Sequence, residues 1–572
     1  MTRTARLIAV AVVSTLALSP AVASAKKLRH TTVRAHLIKK QPRARAHSGA
    51  TVLGALRDHA PHPRNPGALA RAKANAERRF QNGTGQPSPL AAISGGLNLP
   101  GLANSDNLAG AMGTPSDSTG AVGPNNYVEF VNSVIGVYKK SDLTLDSGAG
   151  KLGEMDMAAF VGAPGKDVFD PQIQWDPVTQ RWYYLIDYID QDKSGSNPGV
   201  NALAFGWSKT ADPNVPPSGF NSATGWCRYI VDTGAEFDDY PKLGSNNTHL
   251  IFGANVFADN ATGGFQTARV FTVNKPGLST AVGGSNCSTS LTLKSFGTAA
   301  SNLLTSDGDQ AFTPVPAVQT ESSTNGWVVA ADYAGSGSQS QLMVWHVDSN
   351  GDLHADTSSD GNVGVTSYSI PPNIPQPGTN RRIDSSDARI TQAVVRTDPD
   401  VGAPAIWTQH TISGGAGAQV RWYEIVPSLC NRTSGTSCNA AARRQQGNLS
   451  NASLYYFNGA VSPAGAGNTA VVQYNSGSSA QVTDIRAQSR LSATALGTMT
   501  GEVNLGASSA IAQDFSCPSN GVGSVCRWGD YAAATPDPSA SNVVWGSNQL
   551  IGTGGMTGGQ AVWTTRNFAL TP

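Results

Sequence analysis

Four aspartates, Asp170, Asp239, Asp387 and Asp530, recur at spacings near multiples of about 70 residues, each just ahead of a short apolar run. Thr119, Thr313 and Asn458 fill the same place in the other segments, and Asp117 stands two residues before Thr119. A repeat fold can bring such in-register residues around one opening. Carboxylates gathered there raise one another's pKa and can divide the work of acid and base. They can equally share a hard cation, for which Ca2+ is the candidate. A third use needs no ligand: an Asp ahead of a tight strand entry accepts hydrogen bonds from the turn's own N–H groups. All three stay open on residue type alone. The ligand-binding candidates are Asp117, Asp170, Asp239, Asp387, Asn458 and Asp530, with no catalytic role assigned among the four aspartates.

Other chemistry-bearing stretches are weaker. Arg389, Arg421, Arg486 and Arg527 have the right head group to clamp an anion bidentately, but Arg421 and Arg486 fall within strand patterns and are expected to partner acids. Asp348-Ser349-Asn350-Gly351-Asp352 opens like a calcium loop, yet Ser359 occupies the twelfth place where a bidentate acid is needed. A hairpin turn on Asn350-Gly351 explains it better, and Ser306-Asp307-Gly308-Asp309 also reads as a turn. The chain has no G-x-S-x-G, no H-E-x-x-H, no phosphate-binding Gly loop and no sialidase-type Asp-box.

The elements that position these residues are strands. One apolar column runs through Tyr127-Val128, Trp182-Tyr183-Tyr184, Leu250-Ile251-Phe252, Trp327-Val328-Val329, Ile406-Trp407, Ala470-Val471-Val472 and Val543-Val544-Trp545. A second column, in the same register, includes Val137-Tyr138, Phe205-Gly206-Trp207, Val270-Phe271, Val344-Trp345, Trp422-Tyr423, Ile485-Arg486-Ala487 and Val562-Trp563. Period-2 alternation dominates after residue 118. Small antiparallel sheets cannot bury both faces alone, but stacking them around an axis does so. The expected fold is therefore an all-β, seven-bladed β-propeller over 95–572, or a six-bladed one if the first and last segments share a blade. The Trp residues of these columns are expected to fill the layers between sheets rather than to present platforms for sugar rings.

Composition agrees: 62 Gly and 33 Pro with only 14% charged residues describe a loop-rich β protein. Residues 1–25 read as a secretory signal, with Arg3 and Arg6, an apolar run from Leu7 to Leu18, and Ala23-Ser24-Ala25 as the cleavage site. Residues 26–94 read as a basic, Ala/Pro-rich and mostly disordered tail or pro-segment, with a short helix around Leu69 to Phe80. Residues 26–80 hold 14 Lys/Arg against Asp58 and Glu77, whereas residues 81–572 hold 24 basic and 37 acidic residues, a net of −13. An acidic body disfavours nucleic acid, and no apolar stretch after the N-terminus is long enough to span a membrane. The basic tail suits anionic cell-envelope polymer. In an exported chain the six Cys read as disulfides: Cys430–Cys438 and Cys517–Cys526 as local staples, and Cys227–Cys287 by elimination.

The chain resembles a broad, largely uncharacterised group of secreted microbial β-propeller proteins. The residues that carry this run from Asp117-Ser118-Thr119-Gly120-Ala121-Val122-Gly123-Pro124-Asn125-Asn126-Tyr127-Val128 through Asp239-Tyr240-Pro241-Lys242-Leu243-Gly244 to Arg527-Trp528-Gly529-Asp530-Tyr531 and Trp563-Thr564-Thr565-Arg566. The resemblance implies a propeller and export and brings no catalytic residues. The chain departs from the group after Asp537-Pro538, where Asn542-Val543-Val544-Trp545 replace the usual Cys and Phe-Trp-Tyr. That implies a different disulfide partner. The expected function is an extracellular, monomeric binding or adhesion scaffold for glycan or protein ligands. The alternative is a propeller-type polysaccharide-cleaving enzyme, a glycoside hydrolase or lyase, that uses two of Asp170, Asp239, Asp387 and Asp530. Two of those carboxyls within about 5–10 Å across an open pocket favour cleavage; carboxyls bonded to their own turns count against it. A secreted structural protein with no channel ligand is the third possibility.

Overall fold

A computed structural model describes residues 26–38, 57–58, 63–80, 94–106, 113–162, 167–190, 200–217, 224–258, 263–275, 287–298, 302–304, 308–333, 337–355, 361–429, 442–514, 516–517, 524–552 and 563–572. The signal-peptide reading of 1–25 and the Cys430–Cys438 pairing lie outside these residues.

The two apolar columns become the middle strands of antiparallel meanders. In the first sheet, Thr119–Val122, Asn126–Val131, Val134–Lys139 and Glu154–Asp156 pair in chain order. The second runs Asp167–Asp176, Arg181–Asp190, Val200–Ser208, Trp226–Gly234, and the third Phe237–Ser245, His249–Phe257, Phe265–Asn274, Ser290–Phe296. The fourth is built on Val315–Pro316, Gly326–Ala331, Ser338–Val347 and Gly361–Ser369. The fifth is Ile390–Asp398, Ala403–Gly414, Gly417–Ile425 and Arg443–Leu449, and the sixth Tyr455–Ala464, Thr469–Ser478, Gln481–Arg490 and Thr500–Ala507. The last sheet takes Ala533–Pro536, Val544–Ile551 and Trp563–Thr571 from the C-terminal end and Ser94–Ala103 from the other end of the chain.

Each sheet's innermost strand packs on the innermost strand of the next, and Ala533–Pro536 returns to Thr119–Val122, so the ring closes. This is a β-propeller. Burial between sheets supplies its cohesion. Trp182, Tyr184 and Trp226 pack with Phe130 between the first and second sheets, and Trp407 and Trp422 pack with Tyr456 and Tyr474 between the fifth and sixth. Tyr127 and Trp545 stack at the closing seam, with ring centroids 5.7 Å apart. The column tryptophans are buried, as their place in the pattern predicts.

The tail departs from the expectation of disorder in its described parts. Thr31–Leu37 is a strand that pairs antiparallel with both Trp226–Gly234 and Ser290–Phe296, welding the second and third sheets into one. Its alternation explains this: Ala35 is buried, Val33 and Leu37 pack partly into the seam, and Arg34 and His36 stay exposed. Cys227–Cys287 joins the same two sheets, with Cα atoms 5.5 Å apart. Arg57–Asp58 pairs with Gly113–Thr114 just ahead of the first sheet. Pro66–Arg79 is a helix capped by Asn65, whose side chain accepts the Ala68 N–H. Lys73 on that helix is buried and donates to Ser385 Oγ at 2.6 Å, with Asp384 at 3.5 Å. Two further expectations hold locally. Cys517–Cys526 is formed, and Gly351 turns the Asp348–Asp352 loop by donating to the Asp348 carbonyl. No helix among the described residues is long and apolar enough to cross a membrane.

Candidate functional site

Six of the seven innermost strands begin at a sharp corner. Asp117, Asp170, Tyr240, Thr313, Ala388 and Asn458 stand there with φ of 44°, 53°, 61°, 52°, 67° and 45°. Left-handed backbone at a non-Gly residue costs on the order of 1 kcal/mol, least for Asp and Asn. At Asp170-Pro171, Tyr240-Pro241 and Asn458-Gly459 the pairing to the second strand skips these two residues as a bulge. The expected column was therefore out of step in at least three places: the residue equivalent to Asp170 is Tyr240, not Asp239, and Ala388, not Asp387, and in the first sheet it is Asp117, two residues before Thr119. The aspartates do not form an even ring.

A second polar column, missed in the sequence, supports the corners. It lies five residues after the start of each second-strand apolar run: Tyr127 leads to Asn132, Trp182 to Asp187, Leu250 to Asn255, Trp327 to Asp332, Ile406 to Thr411, Ala470 to Asn475 and Val544 to Gln549. Asn132 Oδ1 accepts the Asp170 N–H at 2.9 Å, Asn255 Oδ1 accepts the Thr313 N–H at 2.7 Å, and Thr411 Oγ1 accepts the Asn458 N–H at 3.2 Å. Gln549 Oε1 accepts the Ser116 N–H at 3.0 Å across the closing seam. A side chain of one sheet thus pins the corner of the next.

The predicted residues divide accordingly. Asp117 is a corner support: its Oδ1 accepts the Asp530 N–H at 2.8 Å and its Oδ2 accepts from Asn132 at 2.6 Å. Asp387 is spent on Arg389 in a bidentate pair at 2.7 and 2.8 Å, and that guanidinium lies over the rings of Tyr240 and Phe312. Asn458 donates to Asn475 and Asn548 and belongs to the sixth and seventh sheets' contact, apart from the acids. Asp170 and Asp239 do come together, joined by Asp187, with one carboxylate oxygen of each within 4.8 Å of the others. Tyr531 donates to Asp170 Oδ2 at 2.7 Å. The ammonium of Lys242 sits 3.4 Å from the Tyr531 ring centroid and 4.1 Å from that of Tyr240.

Burial dominates the electrostatics. It drives Asp187 well above the usual carboxylate range, with Asp170 and Asp239 adding repulsion. Burial and then Asp239 lift Asp170 to about 7, against the pull of the Tyr531 hydroxyl and Lys242. Asp117 and Asp530 are raised well above the ordinary value, again chiefly by burial. Burial pushes Lys242 well below the usual lysine value even though Asp170 opposes it. Asp170, Asp187 and Asp239 are 4%, 1% and 2% exposed. None of the three lines the axial channel.

A channel runs along the axis between the inner strands. Lys242 and Tyr531 line it together with Thr119, Gln172, Thr391, Gln392 and Thr535, around about 480 Å³ of empty space that includes open solvent. Gln392 Oε1 and Thr535 Oγ1 have no hydrogen-bond partner.

No family model matches the chain, and no curated protein matches it. Among solved structures it is similar to the Synechocystis apocarotenoid oxygenase (10% identity, 70% of this chain and 74% of that one, TM-score 0.34). It is also similar to the Hadza microbial sialidase Hz136 (10% identity, 77% and 73%, TM-score 0.30) and to Drosophila Semaphorin 1b, extracellular domains 1–2 (8% identity, 84% and 87%, TM-score 0.32). Likenesses this loose carry nothing about activity; the propeller rests on the strand pairing and the closed ring.

Proposed function

We propose that the protein works outside the cell as a glycan-binding scaffold, taking a sugar-sized end of an envelope or environmental polysaccharide into its axial channel. The observation that carries this is the pair of unpartnered acceptors, Gln392 Oε1 and Thr535 Oγ1, in the channel wall. Buried polar atoms are costly unless a partner satisfies them, and sugar hydroxyls are donors that fit amide and hydroxyl acceptors. Thr119, Gln172 and Thr391 add uncharged hydrogen-bonding groups beside apolar Ile173, Leu243, Val315 and Val318, with Lys242 also in the wall; such a mixture suits the hydroxyls and C–H faces of a sugar. Export accords with the two disulfides, since such bonds persist in oxidising compartments.

A glycan array on the purified protein, followed by calorimetry on any hit, tests the reading. Gln392→Leu and Thr535→Val should each weaken binding at least tenfold. An array with no hit, or binding that ignores both substitutions, sinks it.

Cleavage is the second reading, favoured by one observation: the Asp170 and Asp239 oxygens lie within 4.8 Å, compatible with the short carboxyl spacing of retaining glycoside hydrolases, about 5–5.5 Å. Their burial counts against it. Release of reducing ends from a polysaccharide panel, lost in Asp170→Asn and Asp239→Asn, would establish it in place of simple binding.

A further inference from the structure

We propose that Asp170, Asp187 and Asp239 form the protein core of a binding site for one hard divalent cation of calcium size, set between the second and third sheets beside the propeller axis. The carboxyl cluster alone would not carry this. Two features of Asp187 do.

First, Asp187 differs from most of its repeat. Its equivalents Asn132, Asn255 and Thr411 are neutral and pin the corner N–H of Asp170, Thr313 and Asn458, and the other acid in the series, Asp332 of the fourth sheet, is only half-buried. At the second sheet the place holds a carboxylate, and neither of its oxygens has a hydrogen-bond partner. Second, Asp187 is 1% exposed, so water does not make up the deficit at the surface. An ionised buried carboxylate with no donor is among the costliest groups a fold can hold. Its reach into a cluster whose other two members are also acids points to a positive ligand.

The distances suit the cation. Oxygens all within 4.8 Å of one another share a centre no more than about 2.8 Å from each, close to the Ca–O distance of about 2.4 Å, whereas Mg2+ wants about 2.1 Å and near-ideal octahedral geometry. Three carboxylates supply three of the six to eight oxygens calcium takes, and carbonyls and water complete such shells. The nearby basic groups do not pre-empt the place. Arg389 is committed to Asp387, Arg269 is paired with Asp238, and the Lys242 ammonium rests against the Tyr531 and Tyr240 rings. The site is independent of the channel-binding proposal, because Gln392 and Thr535 take no part in it.

The test uses the whole protein, stripped with a chelator and exchanged into metal-free buffer. Calorimetric titration with Ca2+ should show one site per chain, Mg2+ should bind at least tenfold more weakly, and Tb3+ should show luminescence sensitised by the adjacent tyrosines. Asp187→Asn places in the second sheet the side chain the first and third already use, so it should fold. It should bind Ca2+ at least tenfold more weakly, and its melting temperature should not respond to Ca2+, whereas the parent's rises. Absence of uptake by the stripped parent overturns the proposal. So does Ca2+ binding unchanged in Asp187→Asn, or Mg2+ binding as tight as Ca2+. Should Asp187→Asn fail to fold, the parent titrations decide, with Asp170→Asn as the second variant.

Discussion

The seam between the second and third sheets and the seam between the fifth and sixth come from the same repeat, yet they close differently at both ends. At the inner end of the fifth–sixth seam, Thr411 pins Asn458, and no cluster of three acids gathers there among the described residues. At the inner end of the second–third seam, Asp187 pins nothing and faces two more acids. The outer ends differ too. Across the second–third seam an extra strand, Thr31–Leu37, pairs on both sides, and Cys227–Cys287 ties the two sheets covalently. The seam that repels itself at the axis is thus reinforced at the rim, and the difference teaches that a repeat can concentrate an unfavourable charge cluster at one place when the outer edge is tied down.

The largest effect should come from cutting that reinforcement. Ala35→Asp puts a charge on the fully buried face of the inserted strand, where an unpaired ion costs about 3–5 kcal/mol. Arg34→Asp on the exposed face should change stability by no more than about 0.5 kcal/mol. Denaturant melts of both read the contrast directly. Equal, small effects would show that the strand is not integral to the seam.

Next comes the disulfide. Loop-closure entropy predicts about 4 kcal/mol for the 60-residue separation of Cys227–Cys287 and about 2.5 kcal/mol for the 9-residue separation of Cys517–Cys526. Removing each pair as a double Ala variant should reproduce that order in chemical denaturation. A reversed order would mean the second–third seam does not depend on its covalent tie.

What was legible beforehand follows from how local each signal is. The apolar columns recur with every turn of the propeller, so the sheets and the buried Trp layers could be read from them. The helix at Pro66–Arg79 announces itself through Asn65-Pro66 and an Ala-rich run. Thr31–Leu37 was hidden because its partners lie about 190 to 265 residues away in the chain. Alternate positions carry Thr32, Arg34 and His36, which reads as a solvated basic tail. The acid cluster was half legible. Asp170 and Asp239 stood in the visible column, but the corner bulge put them out of step, and Asp187 sat at the far end of an apolar strand where it read as the strand's polar margin. Aligning the residues five places beyond each second-strand start would have set it apart with Asp332 as one of two carboxylates among amides and hydroxyls, and as the buried one of the two.

A corner without an acid cluster gives a pH prediction of the middle size. His410 in the fifth sheet is fully buried, bonded through Nδ1 to the Ala388 carbonyl and through Nε2 to the Tyr423 hydroxyl, and burial lowers its pKa to about 3. The fold keeps it neutral while the unfolded chain takes up a proton below about 6.5. The stability it contributes is therefore present above that value and is lost as pH falls toward 3. Between pH 6.5 and 5 the loss should be about 2 kcal/mol, and His410→Gln should flatten that part of the stability profile. An unchanged profile would mean that His410 is not held neutral.

The smallest effect sharpens the comparison most. In metal-free buffer at pH 7, Asp187→Asn should raise stability by about 1 kcal/mol, because it removes an uncompensated buried acid and supplies an amide to the seam. The mirror change, Asn255→Asp, should lower it by about 1–2 kcal/mol. There the carboxylate can still accept the Thr313 N–H, but it loses the amide donor that reaches Thr313 Oγ1 at 2.8 Å. Opposite signs at equivalent places would establish that the axis of the second–third seam carries a buried acid its neighbours avoid. If both substitutions destabilise alike, Asp187 is an ordinary corner residue, and the asymmetry between the seams lies only at the rim.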